Sequence, residues 1–220
     1  MAAVKLYGPL ASTATSRALA SLLEKQVEYQ LVPVDLKNGE HKKPQFLAMQ
    51  PFGQVPVLQD GALTLFESRA IVRYIADKYA AQGTIGLLGK SLAERAVIEQ
   101  WMEVESQTYN PPSSVLVFQL AFAPLWGIPQ NQAEIEKNAE KLSKALDVYE
   151  KRLSESKYLA GDEFSIADLS HLPNTEYLVK ATGKSELITS RKYVNARWED
   201  ISTRDSWKKI REMSKAGNKK

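Results

Sequence analysis

The chain of 220 residues contains no cysteine and only two histidines. The missing cysteines exclude disulfides, zinc sites built on thiolates, and a thiol nucleophile supplied by the protein itself. Long apolar runs are missing as well, because no stretch approaches the roughly 20 residues that a membrane span needs. No secretory signal precedes the first predicted strand. We therefore expect a cytosolic protein that does not enter a membrane.

A strong excess of charge is missing too. The chain has 29 lysines and arginines against 26 aspartates and glutamates, a net charge of +3. Part of this charge lies in residues 215–220, which we expect to form a solvated terminus. Nothing in this balance indicates a nucleic-acid partner. The 44% of hydrophobic residues is typical of a globular protein with an ordinary core, in one large domain or two small ones.

The beginning of the chain has the pattern of a strand, a helix and a second strand. Residues 4–7 alternate in polarity, residues 13–25 place apolar side chains at helical spacing, and residues 29–34 are again strand-like. Two strands joined by one helix form a βαβ unit, so the sequence predicts that these strands are parallel.

Residues 51–71 predict a hairpin followed by a helix. Two short strands at residues 57–59 and 62–65 flank an Asp60-Gly61 turn, and Glu67-Ser68 then opens an amphipathic helix. The free N–H groups of a helix N terminus, together with a serine hydroxyl, can hold a carboxylate, while Glu67 can hold an ammonium group. The pattern therefore predicts a small peptide-like ligand, although Glu67 could instead serve only as a charge at the helix start.

The bond between Val55 and Pro56 comes just before the first strand of this hairpin. A proline in this position is either cis, which turns the preceding backbone outward, or an ordinary trans proline at an edge strand. The residues alone leave both alternatives open.

The alternation of strands and helices stops near residue 80. Three glycines between residues 80 and 89 indicate a linker, and every later segment has helical periodicity. The predicted fold class is therefore α/β plus all-α. Its parts are an α/β domain at residues 1–80, a linker at residues 81–90 and an all-helical domain at residues 91–220.

Three helical features of the second half lead to predictions. Residues 93–108 place Ala93, Val97 and Trp101 on one face, and Pro111-Pro112 is expected to break the helix after them. Ser165 and Asp168 have the spacing of a capping box, whose two side chains satisfy helix amides. We therefore interpret both as structural residues, and we take the nearby His171 in the same way.

Several short segments together make the chain resemble the glutathione S-transferases, and more narrowly their plant phi class. Each segment alone is weak, but their combination over nearly the whole chain is specific. Gln50 departs from the asparagine that is usual in the family at this place. The segments are Ser12 after the first strand, EHK at residues 40–42, PFGQVP at 51–56, FESRAI at 66–71, YLAGD at 158–162 and SIAD at 165–168.

The resemblance implies a thioredoxin-like N-terminal domain with a mixed four-stranded sheet, an all-helical C-terminal domain and a homodimer. It also implies that the bond before Pro56 is cis and that the peptide-like ligand is glutathione. Glutathione is a co-substrate, so neither a cofactor nor a metal is expected. Phe52 is implied to dock into the partner subunit, whereas by itself it could be a local core residue.

Under this resemblance, different residues match each part of glutathione. The γ-glutamyl end suits the helix start described above. The cysteinyl backbone pairs in strand fashion with Val55, and Gln54 adds an amide contact. The glycine carboxylate suits His41 and Lys42, which spacing alone would leave as a solvated turn. The predicted glutathione-binding residues are Ser12, Thr13, His41, Lys42, Gln54, Val55, Pro56, Glu67 and Ser68.

Ser12 is the residue predicted to carry the chemistry, although its pattern alone also fits a plain N-cap. A hydroxyl at a helix N terminus can donate to a sulfur anion in the local positive field. Ser12 has no histidine nearby to act as its base, so the nucleophile is the glutathione thiolate. Lowering the thiol pKa by about two units raises the thiolate fraction roughly 25-fold but reduces nucleophilicity about 8- to 10-fold. Most of the acceleration must therefore come from holding the electrophile beside the sulfur.

An apolar pocket must hold that electrophile, and we expect the helical domain to supply it. The resemblance implies conjugation of glutathione to small hydrophobic electrophiles, in detoxification and stress response, with hydroperoxide reduction as a side activity. The alternative is a carrier of flavonoid-like or other apolar ligands without turnover, and the presence of a serine at position 12 counts against it. The predicted pocket residues, each of which could also be ordinary packing, are Leu10, Thr13, Leu36, Tyr109, Phe118 and Phe122.

Overall fold

A computed structural model of the chain describes residues 3–217. These residues form two compact units, one from residues 3–88 and 205–217 and the other from residues 89–204. No helix within the described residues is long and apolar enough to cross a membrane. Of the predicted solvated terminus, residues 215–217 belong to the last helix, and residues 218–220 lie outside the described residues.

The first unit contains a mixed sheet, in which the described residues contribute four strands in the order β2-β1-β3-β4. Strands β1 and β2 are parallel, and the other two neighbouring pairs are antiparallel. The predicted βαβ unit, hairpin and thioredoxin-like arrangement are thus confirmed. The strands are β1 (Val4–Tyr7), β2 (Tyr29–Val32), β3 (Val57–Asp60) and β4 (Leu63–Phe66).

The hairpin turn lies one residue later than the sequence predicts. Asp60 is paired with Leu63 and so remains in β3, which leaves Gly61 and Ala62 as the two turn residues. Gly61 has a φ of 60°, a value that glycine adopts without steric cost. The Asp60 carboxylate accepts a hydrogen bond from the Tyr74 hydroxyl at 2.9 Å and forms an ion pair with Lys78. Both partners lie in the helix at residues 68–78, so these contacts connect the end of β3 to that helix.

Ten α-helices lie within residues 3–217. They are α1 (Thr13–Glu24), α2 (Pro44–Leu47), α3 (Ser68–Lys78), α4 (Leu92–Val104), α5 (Asn110–Val117), α6 (Gln132–Leu153), α7 (Ile166–Lys180), α8 (Glu186–Thr189), α9 (Lys192–Ser202) and α10 (Asp205–Gly217). In the first unit α1 contacts β1, α3 and α10, and α3 contacts β4, whereas the helices of the second unit pack on one another.

Helix α10 packs in the first unit, although the sequence assigned residues 91–220 to one helical domain. The buried carboxylate of Glu24 at the end of α1 accepts hydrogen bonds from Ser206 and from Thr84, both at 2.5 Å. Tyr29 in β2 lies 3.8 Å from the sulfur of Met213. These contacts join the end of the chain to α1 and β2. The helical pattern in the sequence shows that α10 has an apolar face, but it does not show which element that face packs against.

In the second unit, the chain passes from α4 to α5 without the break predicted at Pro111-Pro112. A π-helical turn, Glu105–Tyr109, leads into α5, and the prolines occupy the beginning of that helix. Proline is favoured in the first turn of a helix because its fixed φ is already close to the helical value. The face of α4 was also predicted wrongly, since Ala93 and Val97 are exposed while Trp101 is buried together with Ile98 and Met102.

The predicted capping box at the start of α7 is confirmed. The Ser165 side chain accepts from the helix backbone, and the Asp168 carboxylate accepts from the Ser165 N–H at 3.2 Å. Asp168 is completely buried and also accepts from Arg197 Nε at 2.7 Å. Beside this ion pair, His171 Nδ1 lies 2.7 Å from the Ala167 carbonyl oxygen, and its Nε2 lies 3.1 Å from the Tyr149 hydroxyl. These contacts agree with a structural role for this part of α7.

Candidate functional site

One row of paired residues crosses the whole sheet near the predicted site. Val32 at the end of β2 pairs with Tyr7 at the end of β1, Tyr7 pairs with Val57 at the start of β3, and Val57 pairs with Phe66 at the end of β4. This row lies at one end of the sheet. The chain leaves the sheet there after Val32, Tyr7 and Phe66, and it enters the sheet there just before Val57. Those four stretches carry every predicted glutathione-binding residue, so the strand register brings their segments to one end of the sheet.

Ser12 is the N-cap of α1. Its backbone is extended (φ −69°, ψ 126°), its Oγ accepts from the Thr15 N–H at 3.3 Å, and its side chain is partly exposed. The predicted capping geometry is therefore present, and the hydroxyl lies in the positive field of a helix N terminus. The Oγ receives the Thr15 N–H, while the Ser12 O–H proton is available as a donor. Thr13 follows as the first residue of α1 and is also partly exposed.

The start of α3 has an unusual backbone. Glu67 has φ 67° and ψ 106°, a combination that a residue with a side chain rarely adopts. Such a conformation costs on the order of 1–3 kcal/mol and tends to occur at functional sites. The Glu67 side chain is exposed and does not cap α3. A role only at the helix start would therefore not explain why Glu67 adopts this strained backbone.

Ser68 has a partner that the sequence analysis missed. The buried Arg17 of α1 donates from Nη1 to Ser68 Oγ at 2.8 Å, and both residues are at most 4% exposed. Because Ser68 Oγ accepts this bond, its own proton is directed elsewhere. A guanidinium thus stands behind the hydroxyl predicted to bind a carboxylate. The only signal in the sequence is that Arg17 is the sole charged residue between Lys5 and Glu24.

His41 and Lys42 lie in a short 3₁₀ turn that packs against residues 52–54. Lys42 Nζ donates to the carbonyl oxygens of Phe52 at 3.1 Å and Gly53 at 2.8 Å. Gly53 has a φ of 60°, and a Cβ on it would lie 2.8 Å from the His41 carbonyl oxygen. The Gln54 N–H donates to the buried Gln50 side chain at 3.2 Å. Gln50, in place of the asparagine usual in the family, therefore fixes the backbone of a predicted binding residue.

The Val55-Pro56 peptide bond is cis, as the resemblance implied. Val55 and Leu36, both partly buried, pack against a small core formed by Val34, Phe46 and Val57. Pro56 is buried beside them. The predicted strand-pairing residue and one predicted pocket residue therefore flank the same apolar cluster.

The other predicted pocket residues differ in exposure: Leu10, Phe118 and Phe122 are partly exposed, whereas Tyr109 is buried. Leu10 is partly buried in the loop before α1, and its carbonyl oxygen accepts from Ser16 Oγ at 2.7 Å. Phe118 and Phe122 begin and end a second π-helical turn, Phe118–Phe122, and are partly exposed. Tyr109, in contrast, is 1% exposed in the core of the second unit, where its hydroxyl lies 2.7 Å from Thr175 Oγ1. Its contacts there are those of a packing residue.

Titratable side chains of the described residues do not gather into a metal site. No group of three or more histidine, aspartate or glutamate side chains among residues 3–217 is arranged to hold a metal ion. The predicted ligand contacts are instead hydroxyls, amides, an exposed carboxylate and cationic side chains. Such a set suits a small molecule that carries both carboxylates and an ammonium group.

Comparison with protein families and known proteins gives a consistent result. Residues 2–77 match the family model for the N-terminal domain of glutathione S-transferases, and residues 101–204 match the model for their C-terminal domain. The chain is 51% identical over 205 residues to glutathione S-transferase F10 of Arabidopsis thaliana. The aligned region covers 93% of this chain and 94% of that relative.

Solved structures show the same similarity. The crystal structure of glutathione transferase F2 from Populus trichocarpa superimposes with a TM-score of 0.95 at 59% identity, over 97% of this chain and 99% of that one. Glutathione S-transferase I from maize, solved in complex with an atrazine glutathione conjugate, has a TM-score of 0.87 at 40% identity, over 95% of this chain and 96% of that one.

Proposed function

Because the chain belongs to the glutathione S-transferase family, in its plant phi class, we propose that it is an enzyme that conjugates the glutathione thiolate to small hydrophobic electrophiles. The observation that carries the proposal is the row of paired residues from Val32 to Phe66. Because of this pairing, all the predicted binding segments lie at one end of the sheet. The bound conjugate in the maize relative supports the same activity.

In the proposed complex, the two ends of glutathione bind to different segments. The γ-glutamyl carboxylate accepts hydrogen bonds from Ser68 and from the N terminus of α3, with the Arg17 charge behind them. Glu67 takes the ammonium group. The glycine carboxylate binds the 3₁₀ turn with His41 and Lys42, whose ammonium still has a third N–H beyond the two that bind carbonyl oxygens.

The middle of glutathione binds between these ends. Its cysteinyl backbone pairs with Val55, next to Pro56, and the exposed Gln54 side chain adds an amide contact. Its sulfur lies at the N terminus of α1, where Ser12 donates a hydrogen bond to the thiolate and Thr13 lies beside it. Ser12 acts on the ionisation of the sulfur and forms no covalent bond.

The proposal extends to the assembly and the setting of the enzyme. Phe52 is 65% exposed and touches Phe66 edge-on, with 6.2 Å between the ring centroids. An exposed aromatic of this kind suits an interface, so we place Phe52 in a homodimer contact with the partner subunit. Detoxification in the cytosol during stress fits a reaction that consumes reduced glutathione, because thiols are kept reduced there. Hydroperoxide reduction is proposed as a side activity of the same thiolate.

The test is an assay of the purified protein with glutathione and three electrophiles: a chloronitrobenzene, an isothiocyanate and an organic hydroperoxide. Ser12→Ala is compared with Ser91→Ala, a matched control because Ser91 also caps a helix by accepting from Glu94 N–H, at 3.2 Å. Each variant loses about 1 kcal/mol of capping energy. We expect Ser12→Ala to lose most of the conjugation while glutathione affinity stays within a few-fold, and Ser91→Ala to retain it.

Two results would contradict the proposal. If the wild type binds glutathione and apolar compounds but turns none of them over, the protein is a carrier. If Ser12→Ala conjugates as fast as Ser91→Ala, then Ser12 is only a helix cap and the thiolate must be stabilised by other groups.

A further inference from the structure

The loop between β1 and α1 carries two of the predicted site residues, Leu10 and Ser12. Its middle forms a turn, which the Ser12 N–H closes by donating to the Pro9 carbonyl oxygen at 3.0 Å. Leu10 and Ala11 are the central residues of this turn. The closing bond fixes the two ends of the turn, but the peptide group between its central residues takes no part in that bond. The orientation of the Leu10 carbonyl therefore depends on another contact.

Ser16 of α1 provides that contact. Its Oγ donates to the Leu10 carbonyl oxygen at 2.7 Å, and its side chain is buried. Within residues 3–217, no other donor binds this carbonyl oxygen. The Ser16 N–H also donates to the Ser12 carbonyl oxygen at 2.9 Å, which is the first hydrogen bond of the helix. Ser16 thus holds the loop at two points, Leu10 and Ser12.

The Ser16 side chain makes a bond that the helix itself does not need. Inside a helix, a serine hydroxyl can bond to the carbonyl oxygen three or four residues earlier. Ser21 does this, since its Oγ donates to the Ala18 carbonyl oxygen at 2.7 Å and its side chain is fully buried. Ser16 instead reaches six residues back, beyond the N terminus of α1. Two buried serines of the same helix therefore make bonds of equal length, one to the loop and one within the helix.

We infer that Ser16 is a positioning residue, which holds the loop so that the Ser12 hydroxyl is directed at the glutathione sulfur. Ser16 acts through Ser12, so this role rests on the conjugation proposed above. A hydrogen bond weakens steeply as it bends, and a functional group must be held within about 0.5 Å of its productive position. Without the Ser16 hydroxyl, the Leu10 carbonyl is released and the Ser12 hydroxyl samples more positions, although no predicted glutathione-binding residue is removed.

The first test is the pH profile of kcat/KM for a chloronitrobenzene at saturating glutathione, whose midpoint reports the pKa of the bound thiol. Ser16→Ala should raise this pKa by about 0.4 to 1.1 units, because the worth of the one neutral hydrogen bond that is lost limits the effect. The KM for glutathione should stay within a few-fold. Ser21→Ala is the matched control and should leave the pKa unchanged.

A second pair of variants isolates the hydroxyl. Threonine and valine are both β-branched and have nearly the same shape, so Ser16→Thr and Ser16→Val differ mainly in the hydroxyl. Ser16→Thr should keep the pKa of the bound thiol near the wild-type value, and Ser16→Val should raise it as Ser16→Ala does. A loss of stability that both variants share would lower the Tm without creating this difference. Equal pKa values in the two variants would overturn the inference.

The double variant Ser12→Ala with Ser16→Ala tests whether Ser16 acts through Ser12. Its bound-thiol pKa should equal that of Ser12→Ala alone, because no hydroxyl is left to be positioned. A further rise in the double variant would show that Ser16 acts on the sulfur by another route and would also overturn the inference.

Failure of the proposed function and failure of the role of Ser16 give different results. If Ser12→Ala conjugates at the wild-type rate, the proposed chemistry of Ser12 is rejected and the role of Ser16 is rejected with it. If Ser12→Ala is impaired while Ser16→Ala keeps the wild-type pKa, the conjugation stands and Ser16 is only a structural residue of α1. An equal rise in Ser16→Ala and Ser21→Ala would indicate a general loosening of α1 and would reject the specific role of Ser16.

Discussion

Replacing Asp168 should destabilise the second unit without changing the turnover of the folded protein. The carboxylate is fully buried and accepts from Arg197 Nε at 2.7 Å, from Leu159 N–H at 3.2 Å, and from the Ser165 N–H and hydroxyl at 3.2 and 3.1 Å. Asp168→Ala removes all four bonds. It leaves the Arg197 guanidinium, whose side chain is 6% exposed, without its carboxylate in the interior.

The size of the effect follows from that arrangement. Removing one partner of a buried ion pair costs about 3–5 kcal/mol, because the remaining charge stays buried and unpaired. For a chain of this length, each kcal/mol shifts the Tm by about 2–4 °C, so Asp168→Ala should lower the Tm by roughly 6–20 °C. The double variant Asp168→Ala with Arg197→Met should lose less than the sum of the two single variants, since it buries no unpaired charge.

The assay is thermal and urea unfolding followed by tryptophan fluorescence at fixed protein concentration, with turnover measured per folded molecule. Asp162→Ala is the control, because Asp162 is exposed and, within residues 3–217, accepts only one hydrogen bond, from the Lys157 N–H at 3.2 Å. Asp168→Ala should unfold early yet keep normal turnover while folded. An intact melting curve with lost turnover would refute the reasoning and give Asp168 a role in the reaction.

Three further predictions concern the first unit. Ser68→Ala should raise the KM for glutathione about 10-fold or more with little change in kcat, because it removes a bond to a charged group; a fall in kcat alone would argue against a binding role. Gly53→Ala should raise the same KM and lower the Tm more than Gly61→Ala does, since both glycines have a φ of 60° but only Gly53 has backbone within 3 Å of an added Cβ; equal effects would exclude the clash. Phe52→Ser should shift the protein toward monomers in sedimentation velocity, whereas Ile85→Ser, which changes a similarly exposed side chain, should not; a monomeric wild type would contradict the proposed dimer.

The first unit was predictable where its signals are local. The alternating strands, the two-residue hairpin and the Glu67-Ser68 helix start all follow from neighbouring residues. The deviations are small, since the turn and β4 lie one residue later than predicted and β2 ends at Val32 instead of residue 34. The role of Arg17 could not be predicted in the same way, because its partner Ser68 lies 51 residues further along the chain. Burial of an arginine beside a serine depends on how α1 and α3 pack, which a helical pattern does not specify.

The helical segments were predicted less completely for a related reason. The capping box of α7 is a local motif and was predicted correctly. Pro111-Pro112 looks like a helix breaker until the π-helical turn before it is known, since that turn makes the prolines the start of a new helix.

The most direct test of the account is the pKa of the glutathione thiol in the bound state, followed through the ultraviolet absorption of the thiolate as a function of pH. In the wild type we expect this pKa about two units below the value near 8.5 of a free thiol. It should return toward the free value in Ser12→Ala and stay low in Ser91→Ala. A bound thiol that titrates near 8.5 in the wild type, or equally low in both variants, would contradict the claim that Ser12 holds the sulfur as an anion.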